Sequence, residues 1–289
     1  MLKTILTILF VTVNLVYSQG TKSENERVYR FVYSLSATQV ASPEDAQAVS
    51  KVLAEHIKKK LKRFEKIEVV ICKNKDELLE KLKSGYELLV LATEEFLMYR
   101  KQFHITASFT SETNGSVGFN YLLIVNKEDN ISNINQLKGT EICIQEQATE
   151  GTPELLVNKI LQNQKLPPMD QFFNKITKFP SINNVVLPVF FKKAKSALVT
   201  EQALRVLKEI NPQIEKQLKV IYRSPSLILA VSCFNENIIT PEKKKLMTDI
   251  LLNLHTDVYG KQLLNLFSTD KLVPYKEEYL KEYINLFEK

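Results

Sequence analysis

Apolar runs of strand length alternate with amphipathic stretches over the first hundred residues. The runs RVYRFVYSLSA, EVVIC and YELLVLA are typical of strands. Between the first two, Ser42 is placed to cap a helix, Pro43 suits its first position, and apolar residues recur at helical spacing. A second helix is predicted in KDELLEKLKSG and a third, capped by Thr93, in TEEFLMYRK. Strand–helix alternation of this kind predicts a parallel sheet covered on both faces.

The middle of the chain repeats this scheme. A long strand is predicted in SVGFNYLLIVNK, followed by strands in EICIQ, KITKF, KSALVT and LKVIYR with helical segments between them. The strand SLILAVSCF, a helix in TPEKKKLMTDILLNLHTD capped by Thr240 and a last helix in YKEEYLKEYINLF close the chain. The order predicts two α/β sheets, the first interrupted by the second.

The first residues, MLKTILTILFVTVNLVYSQG, carry one positive charge at Lys3 and then roughly a dozen apolar residues. Small side chains at Val16 and Ser18 suit cleavage before Gln19. We therefore expect a signal peptide at residues 1–18 and an exported mature protein, periplasmic or secreted. The alternative interpretation of this segment is a buried first strand or an anchor.

Composition adds little that is specific to function. With 44% hydrophobic and 25% charged residues the chain is of globular type, and loss of Lys3 lowers the net charge only from +6 to +5. Lysines alternate with apolar residues in HIKKKLKRFEK, which is typical of a solvated helix face, so we expect no nucleic-acid partner. Cys72, Cys143 and Cys233 lie in separate strand-like runs and are expected to be three buried thiols, one disulfide with a single thiol being the alternative.

Catalytic signatures are missing from the sequence. It contains no G-x-S-x-G, P-loop or G-x-G-x-x-G motif, and His56, His104 and His255 are scattered without metal-ligand spacing. We therefore expect no enzyme activity, no metal and no cofactor.

The segment QEQATEGTPELLV, residues 145–157, is the most informative stretch. A strand enters it, a turn of small and hydroxyl residues follows, and a helix leaves it with Pro153 in its first turn. The unpaired N–H groups of such a helix start can hold anions and polar ligands. The alternative is an ordinary helix-capping turn.

At this segment the chain resembles a known family. ISNINQLKGTEICIQEQATEGTPELL resembles the second-domain entrance of type 2 periplasmic solute-binding proteins, in the branch of the phosphonate/phosphite-binding components of ABC transporters. The segments LKSGYELLVLATEEFL, KKAKSALVTEQAL and LKVIYRSPSLILAV resemble further family motifs in the same order. Together these matches extend over almost all of the mature chain.

The resemblance implies a two-lobed clamp that closes on a ligand. Lobe 1 would comprise residues 19–112 and 226–289, and lobe 2 residues 113–225. Two crossover strands would join them near Ser108–Phe119 and Tyr222–Ala230. Such a protein is expected to act as a monomer, with a small-molecule ligand and an ABC permease or membrane sensor as partners.

The resemblance also implies a set of ligand-binding residues at turns that face the cleft. Hydroxyl and N–H groups there can share the charge of an anion without a cationic side chain. Carried over by position, these residues are Ser36, Thr38, Thr93, Thr149, Gly151, Thr152 and Thr200.

Four acidic or apolar positions depart from the family pattern. Ala148 and Glu150 stand where the family has serine or threonine, and Glu94 and Glu201 follow other cleft turns. A carboxylate would oppose a plain anion unless the ligand also carried an amine. The expected function is capture of a small polar or anionic, phosphonate- or phosphate-like solute. The alternatives are a cofactor-biosynthesis enzyme on the same fold and a clamp that has lost its ligand.

Overall fold

Two β-sheets organise the part of the chain that the computed structural model describes, residues 27–38, 42–61, 65–145, 151–179 and 182–287. Helices pack on both sheets, so the predicted two-lobed α/β class is confirmed. The predicted signal peptide and the turn residues Ala148, Thr149 and Glu150 lie outside the described residues. What the sequence indicates about them therefore stays a prediction.

The first sheet follows the order β12-β4-β11-β3-β1-β2, with β5 paired to β4. Strand β1 lies parallel to β2 and β3, whereas β11 is antiparallel to both β3 and β4. Within the described residues its seven strands are β1 (Arg27–Ser34), β2 (Glu65–Cys72), β3 (Leu88–Ala92), β4 (Ile105–Thr113), β5 (Ser116–Val117), β11 (Ala230–Asn235) and β12 (Lys271–Pro274).

The second sheet follows the order β10-β6-β9-β7-β8. Strand β7 lies parallel to β8 and β9, whereas β6 is antiparallel to β9 and β10. Both sheets are thus mixed. Strands β6 and β11 are the first strands after the chain crosses from one sheet to the other, and each runs antiparallel to its neighbours. In the described part of the chain the second sheet comprises β6 (Tyr121–Asn126), β7 (Glu141–Gln145), β8 (Lys175–Phe179), β9 (Ser196–Thr200) and β10 (Leu218–Arg223).

The helices largely begin where the sequence places their caps. The hydroxyl of Ser42 accepts from the Asp45 N–H and that of Thr240 from the Lys243 N–H, as predicted. The predicted cap at Thr93 is wrong, because the third helix begins at Thr93 itself and its cap position is Ala92. The described helices are α1 (Pro43–Lys60), α2 (Lys75–Lys83), α3 (Thr93–Tyr99), α4 (Thr152–Asn163), α5 (Met169–Phe172), α6 (Ile182–Phe190), α7 (Glu201–Ile210), α8 (Gln213–Gln217), α9 (Pro241–Leu252), α10 (Val258–Leu266) and α11 (Lys281–Phe287).

Each sheet is buried on both faces, which explains the nearly continuous apolar runs in the sequence. Along β3, Leu88 faces one hydrophobic cluster while Leu89 and Leu91 face another. The last helix, α11, packs against both cores: Tyr283 is fully buried in that of the second sheet, and Ile284 packs on that of the first. Among the described residues, no helix has both the length and the apolar composition needed to cross a membrane.

The chain passes between the sheets twice, and the two passages hydrogen-bond to each other. Phe119 and Leu227 form an antiparallel bridge in which each N–H donates to the other's carbonyl at 2.9 Å. The predicted long strand SVGFNYLLIVNK is therefore interrupted: β5 ends at Val117, and β6 starts at Tyr121. Gly118 lies at the break with φ +84°, a conformation that favours glycine.

Replacing Gly118 by alanine should destabilise the protein more than replacing Gly115. Both glycines have positive φ, which costs an alanine roughly 1–2 kcal/mol. A Cβ at Gly118 would also lie 2.8 Å from the carbonyl oxygen of Leu227, whereas a Cβ at Gly115 meets nothing within 4 Å. Urea unfolding of the two variants measures the difference, and equal losses would mean that the passage adjusts without strain.

The three cysteines are unpaired and buried, as predicted from the sequence. Burial raises the pKa of the Cys72 thiol to about 12 and that of Cys143 to about 11, and it raises the pKa of Cys233 well above its ordinary value. Thiols of this kind hold almost no thiolate near neutral pH and react slowly.

A thiol reagent such as dithionitrobenzoate should therefore label the native protein very slowly and all three cysteines after unfolding in denaturant. Fewer than three reactive thiols in the unfolded, unreduced protein would indicate a disulfide instead. Rapid labelling of the native protein would show that at least one of these strands opens.

Candidate functional site

A cleft of about 880 Å³ lies between the two sheets, lined by residues of both. It is found where parallel strands of each sheet end: β1 and β3 on one side, β7 and β9 on the other. Ligand sites of α/β proteins commonly lie beyond the carboxyl ends of their strands. Pockets of this size accommodate ligands as large as typical drugs.

The second sheet supplies two helix starts to the cleft. Gly151 is the cap residue of α4 and Thr152 its first residue, and both are buried. Thr200 caps α7, its hydroxyl accepting from the Ala203 N–H at 3.3 Å. Thr152 and Thr200 both line the cleft, so two of the residues implied by the family resemblance lie on its second-sheet side.

A chain of hydrogen bonds joins Thr152 to the first sheet. The Tyr283 hydroxyl donates to Oε2 of Glu94 at 2.8 Å, and Thr152 Oγ1 lies 2.8 Å from the same hydroxyl oxygen. An ionised carboxylate can only accept a hydrogen bond, so the Tyr283 hydroxyl uses its proton to donate to Glu94. The Thr152 hydroxyl therefore donates to the Tyr283 oxygen. Burial and the Glu94 carboxylate together raise the pKa of Tyr283 well above its ordinary value.

The first sheet brings Ser36 and Thr38 to the cleft, in the 3₁₀ turn after β1 and just beyond it. The hydroxyl of Thr38 donates to the Leu35 carbonyl at 2.8 Å. Thr93, in contrast, is fully buried and is not among the described cleft-lining residues. Its hydroxyl donates to the Ile228 carbonyl at 2.6 Å and so links α3 to the second passage between the sheets, which leads back to the first sheet.

The charged side chains of the described cleft lining are of one sign. Of the described residues that line the cleft, only Glu94 is charged, and no lysine or arginine is among them. Glu201, which also follows a cleft turn in the sequence, is paired with Arg223: the Arg223 Nη2 and Glu201 Oε2 atoms are 2.5 Å apart. Within the described lining, Glu94 therefore supplies the charged side chain, and the helix starts supply partial positive charge.

The sequence does not single out several polar residues of the cleft lining, among them Gln145 and Asn183, or Tyr283 behind it. Tyr283 is buried and is not a described lining residue, but from the last helix, 131 residues after Thr152, it hydrogen-bonds to Thr152 and Glu94, which do line the cleft. No local pattern signals such a contact. Gln145 ends β7, beside the turn in the segment 145–157, and Asn183 lies in the first turn of α6. Both residues lie at or after the end of a strand, where ligand-binding side chains of α/β proteins are commonly found, and this position could have added them to the candidate site residues.

Behind the cleft, Glu95 is an ionisable group in a buried position. Its carboxylate accepts from the Ser34 hydroxyl at 2.7 Å and from the Ala92 N–H at 2.9 Å, fixing the ends of β1 and β3. Burial raises the pKa of Glu95 to about 7, although these hydrogen bonds favour the ionised form. In the part of the chain that is described, no group of three His, Cys, Asp or Glu side chains could hold a metal ion.

Comparison with known proteins identifies the family of the chain. A profile of the periplasmic substrate-binding proteins of phosphonate ABC transporters matches residues 35–280. The chain belongs to this family. The matched region includes the cleft-lining residues from Leu35 to Leu272, so the resemblance drawn from sequence motifs is confirmed. Membership gives the chain a solute-binding role.

Solved structures of low sequence identity share the fold. A phosphonate-transporter binding component from Pseudomonas aeruginosa matches with TM-score 0.65 and 14% identity, covering 91% of this chain and 86% of that one. PhnD1 from Prochlorococcus marinus, in complex with methylphosphonate, matches with TM-score 0.64 and 15% identity over 91% and 97%. XAC2383 from Xanthomonas citri, bound to ATP, matches with TM-score 0.66 and 14% identity over 90% and 95%. No curated protein matches the chain.

Stability should fall as pH rises through the range in which Glu95 titrates. The pKa of Glu95 in the folded protein, about 7, lies above 4.5, the ordinary value for a glutamate, so the folded state binds the proton more tightly. The stabilisation is complete below about pH 4.5 and lost as the pH rises through about 7, a change of at most about 3.4 kcal/mol.

The test is the pH dependence of urea unfolding between pH 4.5 and 8 for Glu95→Gln, with the exposed Glu55→Gln as control. Glu95→Gln should flatten the decline relative to the natural protein, and Glu55→Gln should retain it. Parallel profiles for all three proteins would mean that Glu95 is not the titrating group.

Proposed function

We propose that this protein is exported and captures a small polar or anionic solute, phosphonate- or phosphate-like, in the cleft between its lobes. It would deliver that solute for ABC-type uptake or sensing. The observation that carries the proposal is the meeting of two helix starts, α4 and α7, with hydroxyl side chains in one cleft of a chain of this family. Lobes of such clamps close around the ligand by hinge motion.

Thr200 is the hydroxyl best placed to bind the solute. Its oxygen accepts the capping bond from Ala203, and its own proton can be donated into the cleft. Thr152 differs, because its proton is directed to Tyr283. The N–H groups at the start of α7 add to the site, since a helix N-terminus favours negative charge.

Other parts of the proposal rest on the family and the sequence. Cleavage after residue 18 would release the mature protein, and an ABC permease or membrane sensor would receive the solute-loaded clamp. We propose a monomer without a nucleic-acid partner, with lobe 1 at residues 19–112 and 226–289 and lobe 2 at 113–225. We also propose that it performs no catalysis; the comparisons do not support the alternative of a cofactor-biosynthesis enzyme.

A thermal-shift screen of the mature protein tests the function directly. The solutes are alkyl phosphonates, phosphate, sulfonates, amino-phosphonates and thiamine-like pyrimidines. One structural neighbour is in complex with methylphosphonate, which makes that compound the first to test. A ligand at about 100 times its Kd adds about 2.7 kcal/mol of stability. Turnover of a bound solute would support the enzyme alternative, and absence of any stabilisation would support a clamp that has lost its ligand.

Thr200→Ala should weaken binding of any solute found in this screen, by roughly tenfold or more, because a hydrogen bond to a charged group is worth roughly 1.5–3 kcal/mol. Thr240→Ala is the matched control. Thr240 also caps a helix, with the same 3.3 Å bond to an N–H, but it is not a described cleft-lining residue. Both variants should lose about 1 kcal/mol of stability as caps. Equal affinities in calorimetric titration would show that Thr200 serves only as a cap.

A further inference from the structure

The lining of the cleft has a polar part and an apolar part. Hydroxyl side chains at helix starts, among them Thr152 and Thr200, belong to the polar part. The apolar part comes from side chains farther along α7 and from residues at and after the end of α10. An anion as small as phosphate would contact the polar part and leave the apolar part exposed to water.

Helix α7 begins at the polar part and carries much of the apolar part. Val206 and Ile210 are 45% and 75% exposed, lie one helical turn apart, and line the cleft together with Ala203. Leu204 of the same helix is already buried in the core of its own sheet. The helix therefore has more apolar surface than its own lobe covers, and the additional surface lines the cleft.

The first lobe provides an apolar surface in the same cleft. Leu35, Phe267 and Leu272 line it and are only partly buried. The ring of Phe267 stacks on that of Tyr33, another lining residue, with ring centroids 6.5 Å apart and planes inclined by 12°. Exposed apolar side chains are ordinary when they are scattered, but here both lobes contribute them to one cavity.

The start of α7 has donors available for an anionic head. The N–H groups of Glu201 and Ala203 already donate to acceptors of the protein. The Gln202 N–H has no acceptor among the described residues, and Gln202 lines the cleft with Thr200, whose hydroxyl proton is also available. The Glu201 carboxylate in the same turn is paired with Arg223, which offsets its repulsion of an anion.

The dimensions of the cleft leave room for a body attached to this head. At 1.5 Å per residue, Val206 lies about 9 Å and Ile210 about 15 Å along the helix axis from Thr200. A methyl substituent on a head at Thr200 does not reach these side chains, whereas a chain of six carbons reaches the first of them. The cleft volume of about 880 Å³ corresponds to roughly thirty waters at ~30 Å³ each, so a head alone fills a small part of it.

We propose that the solute is a phosphonate or a phosphate monoester with an aliphatic body of several carbons. Its anionic head lies at the start of α7, by Thr200 and Gln202. Its body lies along Val206 and Ile210 and contacts Phe267 of the first lobe. The inference rests on the proposed solute-binding function and specifies the class of solute within it. Removal of apolar area from water on both lobes favours such a body over a methyl group.

The experiment is calorimetric titration of the mature protein at pH 7 with methyl-, butyl- and hexylphosphonate, hexyl phosphate and hexanol. Each buried methylene should tighten binding roughly fourfold, so hexylphosphonate should bind about fifteenfold more tightly than butylphosphonate. Hexanol has the body without the anionic head and should bind at least about tenfold more weakly than hexylphosphonate. The comparison of hexylphosphonate with hexyl phosphate identifies which of the two heads the site prefers.

Two valine variants distinguish a surface that binds the body from an ordinary helix face. Val206→Thr places a hydroxyl in the apolar lining and should weaken the binding of hexylphosphonate several-fold more than that of methylphosphonate. Its control is Val52→Thr, at a helical valine of similar exposure, 41%, that is not a described cleft-lining residue. That control should bind both phosphonates as the natural protein does.

Two outcomes would overturn the inference and leave the proposed function standing. One is equal affinity for the methyl, butyl and hexyl compounds. The other is equal weakening of methyl- and hexylphosphonate binding by Val206→Thr, which would show that the apolar surfaces contact each other on lobe closure instead of holding a body. Hexanol binding as tightly as hexylphosphonate would contradict the anionic head. If no probe binds, the inference is wrong, and the broader solute screen decides the proposed function separately.

Discussion

The hydrogen-bonded contact between the two passages of the chain is the constraint on which the cleft depends. The Phe119–Leu227 bridge holds the passages side by side, and the Asn120 side chain adds a bond to the Ser224 carbonyl at 2.7 Å. Because β6 and β11 begin immediately after these passages, the ladders of both sheets are positioned from this point. The carboxyl ends of the parallel strands consequently meet across one cleft, and Gly118 permits the close approach.

A second connection between the lobes comes from the end of the chain. Helix α11 packs on α4, and its Tyr283 links Thr152 of one lobe to Glu94 of the other by two 2.8 Å hydrogen bonds. This arrangement explains how an acid is tolerated at the cleft, since the Glu94 carboxylate accepts a hydrogen bond from the buried Tyr283 hydroxyl. Thr152 also has a structural role, because its hydroxyl donates to Tyr283. Its proton is therefore not available for the ligand-binding role that the family resemblance implies, unless that bond breaks.

Secondary structure was predictable because most of its determinants are local. The Ser42 and Thr240 caps and the buried strands follow from neighbouring residues, and order along the chain was enough to indicate two sheets. The errors have tertiary causes. Threonine is a common capping residue, but the hydroxyl of Thr93 donates instead to the carbonyl of Ile228, which lies on the second passage between the sheets. The run SVGFNYLLIVNK has strand composition throughout, but it must leave one sheet and enter another.

The sequence by itself determined the α/β class, the three buried thiols, the family and the helix-start turns near which solute would bind, because each depends on residue types within a short span. Tertiary structure alone decided which of those turns' residues reach the cleft. It placed Thr152 and Thr200 there and buried Thr93. It paired Glu201 with Arg223, made Glu94 the charged side chain of the described lining, and brought Tyr283 from the far end of the chain to hydrogen-bond with Glu94. These outcomes are contacts between segments distant in sequence, and such contacts are set by packing rather than by local pattern.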